Sequence, residues 1–443
     1  MRCGLRRAAP TDRYGRGVAA APDSLAASAV PAGPAHVAVV SFLAARAAPT
    51  GGFWIALAGG VALARTAERV GARLGFGASA AAMLETVAII GPARFGIPLT
   101  QAATAPMLGR LEARGAGVFP QILACAAIRL LHNTATTAFF IWVIAGGLDA
   151  YAGTYDALGR RIGIEVGTAD ALGLTAAGLL GWAAFASTVQ VLLYRRGLHG
   201  WDRLAASAEE GGRGADAGSE DDAREANVEP EAGATGDRRG WDARAANVEP
   251  EDAPTDRRRR RWDPRAVTLA ATVGFALLLS GTSWPLLAAV AAALALAWIA
   301  APTDNESLKT GLLFAAILAG GAIAFALGGG LGVDEAARRA IRAALLVMVA
   351  TWMRAAAGAE GLREVARRVL GRLRRVPGAG EAALVLDRIE SEGRLAAAGR
   401  ALADELSGVR RRPLPFVDAV LAWVVRESER RSQPGARADS SRL

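Results

Sequence analysis

Lysine is almost missing from this 443-residue sequence: of its 51 basic side chains, only Lys309 is not an arginine. A phosphate-binding loop of the G-x-x-x-x-G-K-[ST] type needs a lysine behind a glycine-rich turn, whereas Lys309 follows Asn305, Glu306, Ser307 and Leu308. The chain therefore carries no P-loop ATPase of its own. Cysteine is as scarce. Cys3 and Cys125 make no disulfide framework, and with the scattered His36, His132 and His199 they form no zinc or haem spacing. Neither a metal nor a cofactor is expected. Charge is also thin, at 21% of residues against the ~25% usual in soluble domains. What fills the space is apolar: 52% of residues, with a mean hydropathy of +0.25 and a formal charge of +9. A chain both apolar and basic fits poorly with a soluble enzyme, a disordered tail or an acidic scaffold. It fits a multi-spanning membrane protein with basic loops on one side.

Apolar segments at residues 36–48, 51–64, 76–91, 97–108, 118–148 and 171–194 suggest about six spans, although several fall short of the ~20 residues that cross a bilayer upright. The short ones are expected to be tilted, buried among neighbours or re-entrant. Residues 1–34 are rich in Arg, Ala and Pro and lack the apolar run of a signal peptide, so they read as a flexible cytoplasmic lead. Between Asp202 and Asp256 stand about 16 acidic against 6 basic residues, a net of −10, which leaves +19 for the rest of the chain. That composition, with a short repeat (Arg224 to Glu231 recurring as Arg244 to Glu251), reads as a disordered acidic linker over 201–261. A second block at 262–358 holds four apolar runs, 266–281, 285–301, 311–331 and 340–357. Amphipathic helices are expected over 359–432 and a disordered tail over 433–443.

Six spans and then four place nearly every arginine cluster, and both termini and the linker, on the cytoplasmic side of the cell membrane. Arg338, Arg339 and Arg342 are the exception. The expected fold class is thus all-α, a polytopic integral membrane protein of about ten transmembrane helices in two blocks, with cytoplasmic amphipathic helices.

The segment 114–149 is about thirty apolar residues interrupted by Arg129, His132 and Asn133. A straight helix of that length would be about 45 Å long, so a tilt, kink or break near Asn133 is expected. An intramembrane arginine needs a partner or a wet cavity, and Glu85, mid-span in its own segment, is the natural candidate. One reading makes Glu85, Arg94, Gln101, Arg129, His132 and Asn133 a small-molecule solute site, with Trp142, Asp149, Tyr151 and Tyr155 at its outer mouth. The other makes a Glu85–Arg129 pair a packing device, with His132 and Asn133 hydrogen-bonded between helices. In the tail, Leu362, Val365, Val369, Leu373 and Val376 recur at helical spacing, opposite a face carrying Arg363, Arg367, Arg368, Arg372 and Arg375. Such a helix suits an anionic bilayer surface or the groove of a partner protein. Nucleic acid is not expected, since no base-stacking aromatic set or reading helix is present.

Trp262-Asp263-Pro264-Arg265, leading into an apolar run, resembles the start of the transmembrane coupling (T) component of energy-coupling factor transporters. Four close spans, a basic amphipathic helix from Leu362 to Arg375, Val376-Pro377 and a further helix over 381–406 follow in the order of that family. The resemblance covers residues 261–429. It implies coupling helices that clasp separate P-loop ATPase subunits, with Arg400 in Gly399-Arg400-Ala401 nearest to the family's Ala-Arg-Gly signatures, which are themselves missing. The N-terminal block has the size of a substrate-binding (S) component. The chain is therefore expected to be a transport component, a fused S-like and T-like pair and not an enzyme. The rival readings are a non-transporting membrane scaffold that binds a partner through its basic tail, and an intramembrane enzyme acting on lipid with His132 or Glu85 as acid or base.

Overall fold

The computed structural model describes residues 32–47, 52–91, 99–225, 262–300, 305–373, 375–389, 392–406 and 413–432. Among them every regular element is helical: α1 (Ala32–Ala47), α2 (Gly52–Val70), α3 (Ala72–Ile90), α4 (Leu99–Ala113), α5 (Val118–Phe139), α6 (Leu148–Arg160), α7 (Thr168–Glu225), α8 (Pro264–Ser280), α9 (Trp284–Ala300), α10 (Asn305–Gly328), α11 (Val333–Arg372), α12 (Ala379–Leu386), α13 (Glu392–Glu405) and α14 (Pro413–Ser432). The expected all-α, multi-pass architecture is found, but with five helices long and apolar enough to cross a membrane in place of ten. They are Ala72–Ile90, Val118–Ala145, Thr168–Ala206, Asn305–Gly328 and Val333–Arg372, with α8 and α9 as shorter apolar helices.

Of the alternatives expected for the short segments, α1 takes the buried one. Its 16 residues rise only about 24 Å, short of a ~30 Å hydrocarbon core. It is apolar all round, as a helix enclosed by others must be, and Val37, Ala38, Val39 and Val40 are all fully buried. Helices α2, α3, α13 and α14 enclose it. The amphipathic tail thus folds back: Leu395, Leu402, Phe416, Val420 and Val424 join one core with Val37, Phe42, Ile55 and Leu63. Small residues allow this closeness, since a Cβ at Gly59 would come within 2.5 Å of the Ser41 side chain and one at Gly399 within 3.2 Å of Leu43.

Elsewhere the helices keep apolar side chains outward, for example Phe119, Leu123 and Leu131 on α5, Leu180, Trp182 and Phe185 on α7, and Leu296, Ile299, Leu312 and Ile317 on α9 and α10. A water-facing surface would not carry so many. α5 runs unbroken through Asn133; the expected irregularity lies further on, where Phe140–Ala145 form a π-helical turn ended by Gly146 and Gly147. α7 continues to Glu225, so helix occupies the first part of the segment expected to be linker, and residues 226–261 lie outside the described residues. The Asp-Pro-Arg segment has a local role at the start of α8: the Asp263 side chain accepts a hydrogen bond from the Arg265 backbone N–H, and Pro264 opens the first turn.

α11 is the spine. It packs on α3, α8, α9, α10 and α12, and its helical geometry breaks at Gly358, where φ is 71°. Of the three arginines that disturbed the topology, Arg338 pairs with Asp334 and Glu335 in the first turn of its own helix (both 2.8 Å), while Arg339 and Arg342, like Arg354 further along, cap helix ends. Arg339 donates to the Ala145 and Gly146 carbonyls, Arg342 to those of Leu278 (2.6 Å) and Leu279 (3.1 Å), and Arg354 to that of Ile89 (2.9 Å). Each satisfies carbonyls that a helix leaves unpaired at its C-terminal end, where the helix dipole favours a cation.

Candidate functional site

The expected solute cluster divides among separate places. Its centre is Arg129 on α5, whose side chain is only 7% exposed. The Arg129 Nη2 group donates to Gln190 Oε1 (2.6 Å), Gln190 Nε2 donates to Thr104 Oγ1 (2.9 Å), and Thr104 Oγ1 donates to the Thr100 carbonyl (2.9 Å). A directed relay therefore runs from α5 through α7 to α4. Tyr194 lies one turn after Gln190 and Cys125 one turn before Arg129, both on the inward faces of their helices. Gly60 of α2 closes the floor: a Cβ there would collide with the Tyr194 hydroxyl and come within 2.9 Å of Gln101 Oε1. Gln101 and Tyr194 thus both face Gly60.

Glu85 is not their partner. It sits fully buried on α3 and takes both Nε (2.6 Å) and Nη2 of Arg363, from α11 beyond the Gly358 break. The expected Glu85–Arg129 pair is corrected to Glu85–Arg363. This happens because α11 and α12 pack on α3, which a reading with a free tail does not anticipate. Arg129 forms no ion pair among the described residues, and the ionisable groups acting on it are Tyr194 and Cys125. Its Nε is buried without a hydrogen-bond partner, as are Gln101 Oε1 and Ser187 Oγ.

The remaining residues lie apart from this centre. His132 and Asn133 are half-buried on α5, and neither side chain forms a hydrogen bond among the described residues. Trp142 is exposed on the π turn. Asp149 is exposed and lines an open cleft of about 500 Å³ with Asp156, Arg160, Glu165 and Thr168. Tyr151 turns away from that mouth: it is buried, and its hydroxyl lies 2.7 Å from Thr175 Oγ1 and 3.2 Å from the Tyr155 hydroxyl, tying α6 to α7. Burial pushes its phenol above the ordinary value. Arg94 lies outside the described residues.

Among the tail arginines expected at a partner surface, Arg363 is committed inward to Glu85. Arg367 pairs with Glu364 and Asp387 (3.2 Å), and Arg368 pairs with Glu364 (2.5 Å). Arg372, Arg375 and Arg400 remain exposed.

Sequence reasoning missed Thr104, Gln190 and Tyr194. Gln190 and Tyr194 were detectable as polar groups four residues apart within an apolar run. A second polar knot joins the same helices near the end of α4: Glu112 meets His199 Nε2 (2.7 Å), Gln121 Nε2 (2.5 Å) and Arg195 Nη1 (3.2 Å). Burial raises the Glu112 carboxyl, but the hydrogen bonds from Gln121 and His199 and the charge of Arg195 outweigh it and hold it below the ordinary range. No group of three or more His, Cys, Asp or Glu side chains suited to a metal occurs among the described residues. Neither a protein-family model, nor a curated protein, nor a solved structure matches the chain.

Proposed function

We propose that the chain is a membrane transport component, a fused solute-holding and coupling unit that relies on separate P-loop ATPases. The observation that carries this reading is the junction between its two halves. The helices that follow the T-like segment enclose the block that holds the Arg129 centre: α12 packs on α3, and α13 and α14 pack around α1. Through Arg363 and Glu85 the same chain segment reaches the interior of α3. A movement imposed on the tail would be carried into the polar block through packed side chains and an ion pair.

The rival scaffold reading draws on one feature, the exposed apolar side chains Val369, Leu373 and Val376 beside the exposed Arg372 and Arg375. Under the transport reading this is the surface that meets the ATPases. The test is purification of the tagged full-length chain from its native membranes in mild detergent. P-loop ATPases should be recovered in near-stoichiometric amount, and recovery should fall in a Leu373→Glu, Arg372→Glu variant. Recovery of no ATPase under conditions that keep the chain folded would reject the coupling role.

A further inference from the structure

We infer that the Arg129 centre is a binding site for a small solute bearing a single carboxylate, which supplies the counter-charge that the described residues around it do not. This rests on reading the N-terminal block as the solute-holding part. A guanidinium cannot shed its proton at accessible pH, so burial among apolar helices leaves a full positive charge to be balanced. Glu85 shows that this fold can place a carboxylate on an inward face, yet that carboxylate is taken by Arg363. Around Arg129 the groups are neutral instead: Gln190, Thr104, Gln101, Tyr194 and Cys125. Gln190 spends its carbonyl on Arg129 and its amide on Thr104, which fixes the guanidinium in place while the Nε–H stays unfilled. An orphaned, buried donor on a positioned cation is what a preformed oxyanion site requires.

Charge and size select the ligand class. One guanidinium balances one negative charge, so a monocarboxylate leaves the centre neutral, while a phosphate dianion would leave a net negative charge among apolar helices. The need for glycine at position 60 shows how little room remains beside Tyr194 and Gln101, which favours a compact solute.

Full-length chain in nanodiscs of zwitterionic lipid, titrated with butyrate and benzoate and, as neutral controls, butyramide and benzamide, tests this. The carboxylates should raise the unfolding midpoint in a saturable way, as ligands of the native state do, and the amides should not. Arg129→Gln should abolish the response. Arg129→Lys, which keeps the charge but loses the fork, should weaken it about tenfold, and Arg114→Gln on the exposed surface after α4 should leave it unchanged. Absence of a carboxylate response in the wild type, or an equal response in Arg129→Gln, would overturn the proposal. So would a stronger response to inorganic phosphate, or loss of the carboxylate response when anionic lipid fills the discs, because the group recognised would then be a phosphate. Should Arg129→Gln not fold, the wild-type carboxylate and amide arms with Arg129→Lys decide alone. ATPase recovery without a carboxylate response would reject this inference and spare the coupling role; the opposite pairing would do the reverse.

Discussion

Arg363, part-buried, and Arg129, buried, both set a guanidinium against apolar helices, and the two regions answer its charge differently. Around Arg363 the solution is electrical closure: two nitrogens of the fork rest on the two oxygens of the fully buried Glu85. Around Arg129 only hydrogen-bonding dipoles are supplied, and the buried Nε–H is left without a partner. A closed pair fixes the two halves of the chain together, whereas an open cation leaves an unmet demand for charge. The difference separates a fastening from a binding centre, although both are an arginine inside an apolar bundle.

The largest effect should come from opening the closed region. Glu85→Ala strands Arg363 between α3 and α11, and breaking one side of a buried pair costs about 3–5 kcal/mol. The unfolding midpoint should fall steeply, and limited proteolysis should begin at the helices α12–α14, which lean on α3 and α1. Replacing both partners, Glu85→Leu with Arg363→Leu, should recover most of the loss, since an apolar pair of similar volume removes the stranded charge. If Glu85→Ala costs under about 1 kcal/mol, the pair is no fastening and the contrast with Arg129 fails.

Next in size are the helix-end arginines, which resemble Arg129 in having carbonyl partners and Arg363 in joining the spine to its neighbours. Arg342→Met would free the Leu278 and Leu279 carbonyls at the end of α8, at a cost of about 1–3 kcal/mol for acceptors left unmet. Arg342→Lys should restore part of it, because the charge at the helix end persists while the second hydrogen bond does not. Thermal melts of the three proteins in one detergent check this order. Equal stability of Arg342→Met and wild type would show that these contacts contribute nothing.

The all-α class and the multi-pass character were legible in composition and apolar runs. What stayed hidden has a common cause. Hydropathy reports how apolar a segment is but not what covers it, so burial of α1 was one of the expected alternatives while its cover, helices from the far end of the chain, was not. Pairing across long separations is likewise unwritten in a single sequence: Glu85 and Arg363 are 278 positions apart. Arg339 and Arg342 looked like charges on the wrong side because the positive-inside rule counts arginines in loops and takes no account of those that cap helix ends inside the bundle. Tyr151 was placed at a water-facing mouth on residue type alone; its partner Thr175 lies in the next helix.

The smallest expected effect separates the two regions by pH. The Arg129 centre contains no carboxylate among the described residues, so mild acid should leave its charge untouched. The end of α14 does contain one. Glu427 accepts from Arg430 Nη2 (2.8 Å) and Arg431 Nε (2.5 Å) in the last turn of that helix. Burial raises its carboxyl, but the hydrogen bonds and charges of Arg431 and Arg430 prevail and hold it below the ordinary value of 4.5. A lowered folded-state value means stability that is full above 4.5 and drains away as the pH falls through the folded value. Glu427→Gln should show a shallower loss on acidification than the wild type. Carboxylate binding at Arg129, followed with benzoate between pH 7 and about pH 5.5, where its acid form is still minor, should keep the same midpoint in both proteins. A parallel drop in binding and stability over that range would mean that a titrating group reaches Arg129 after all, and the distinction between a closed and an open arginine would have to be redrawn.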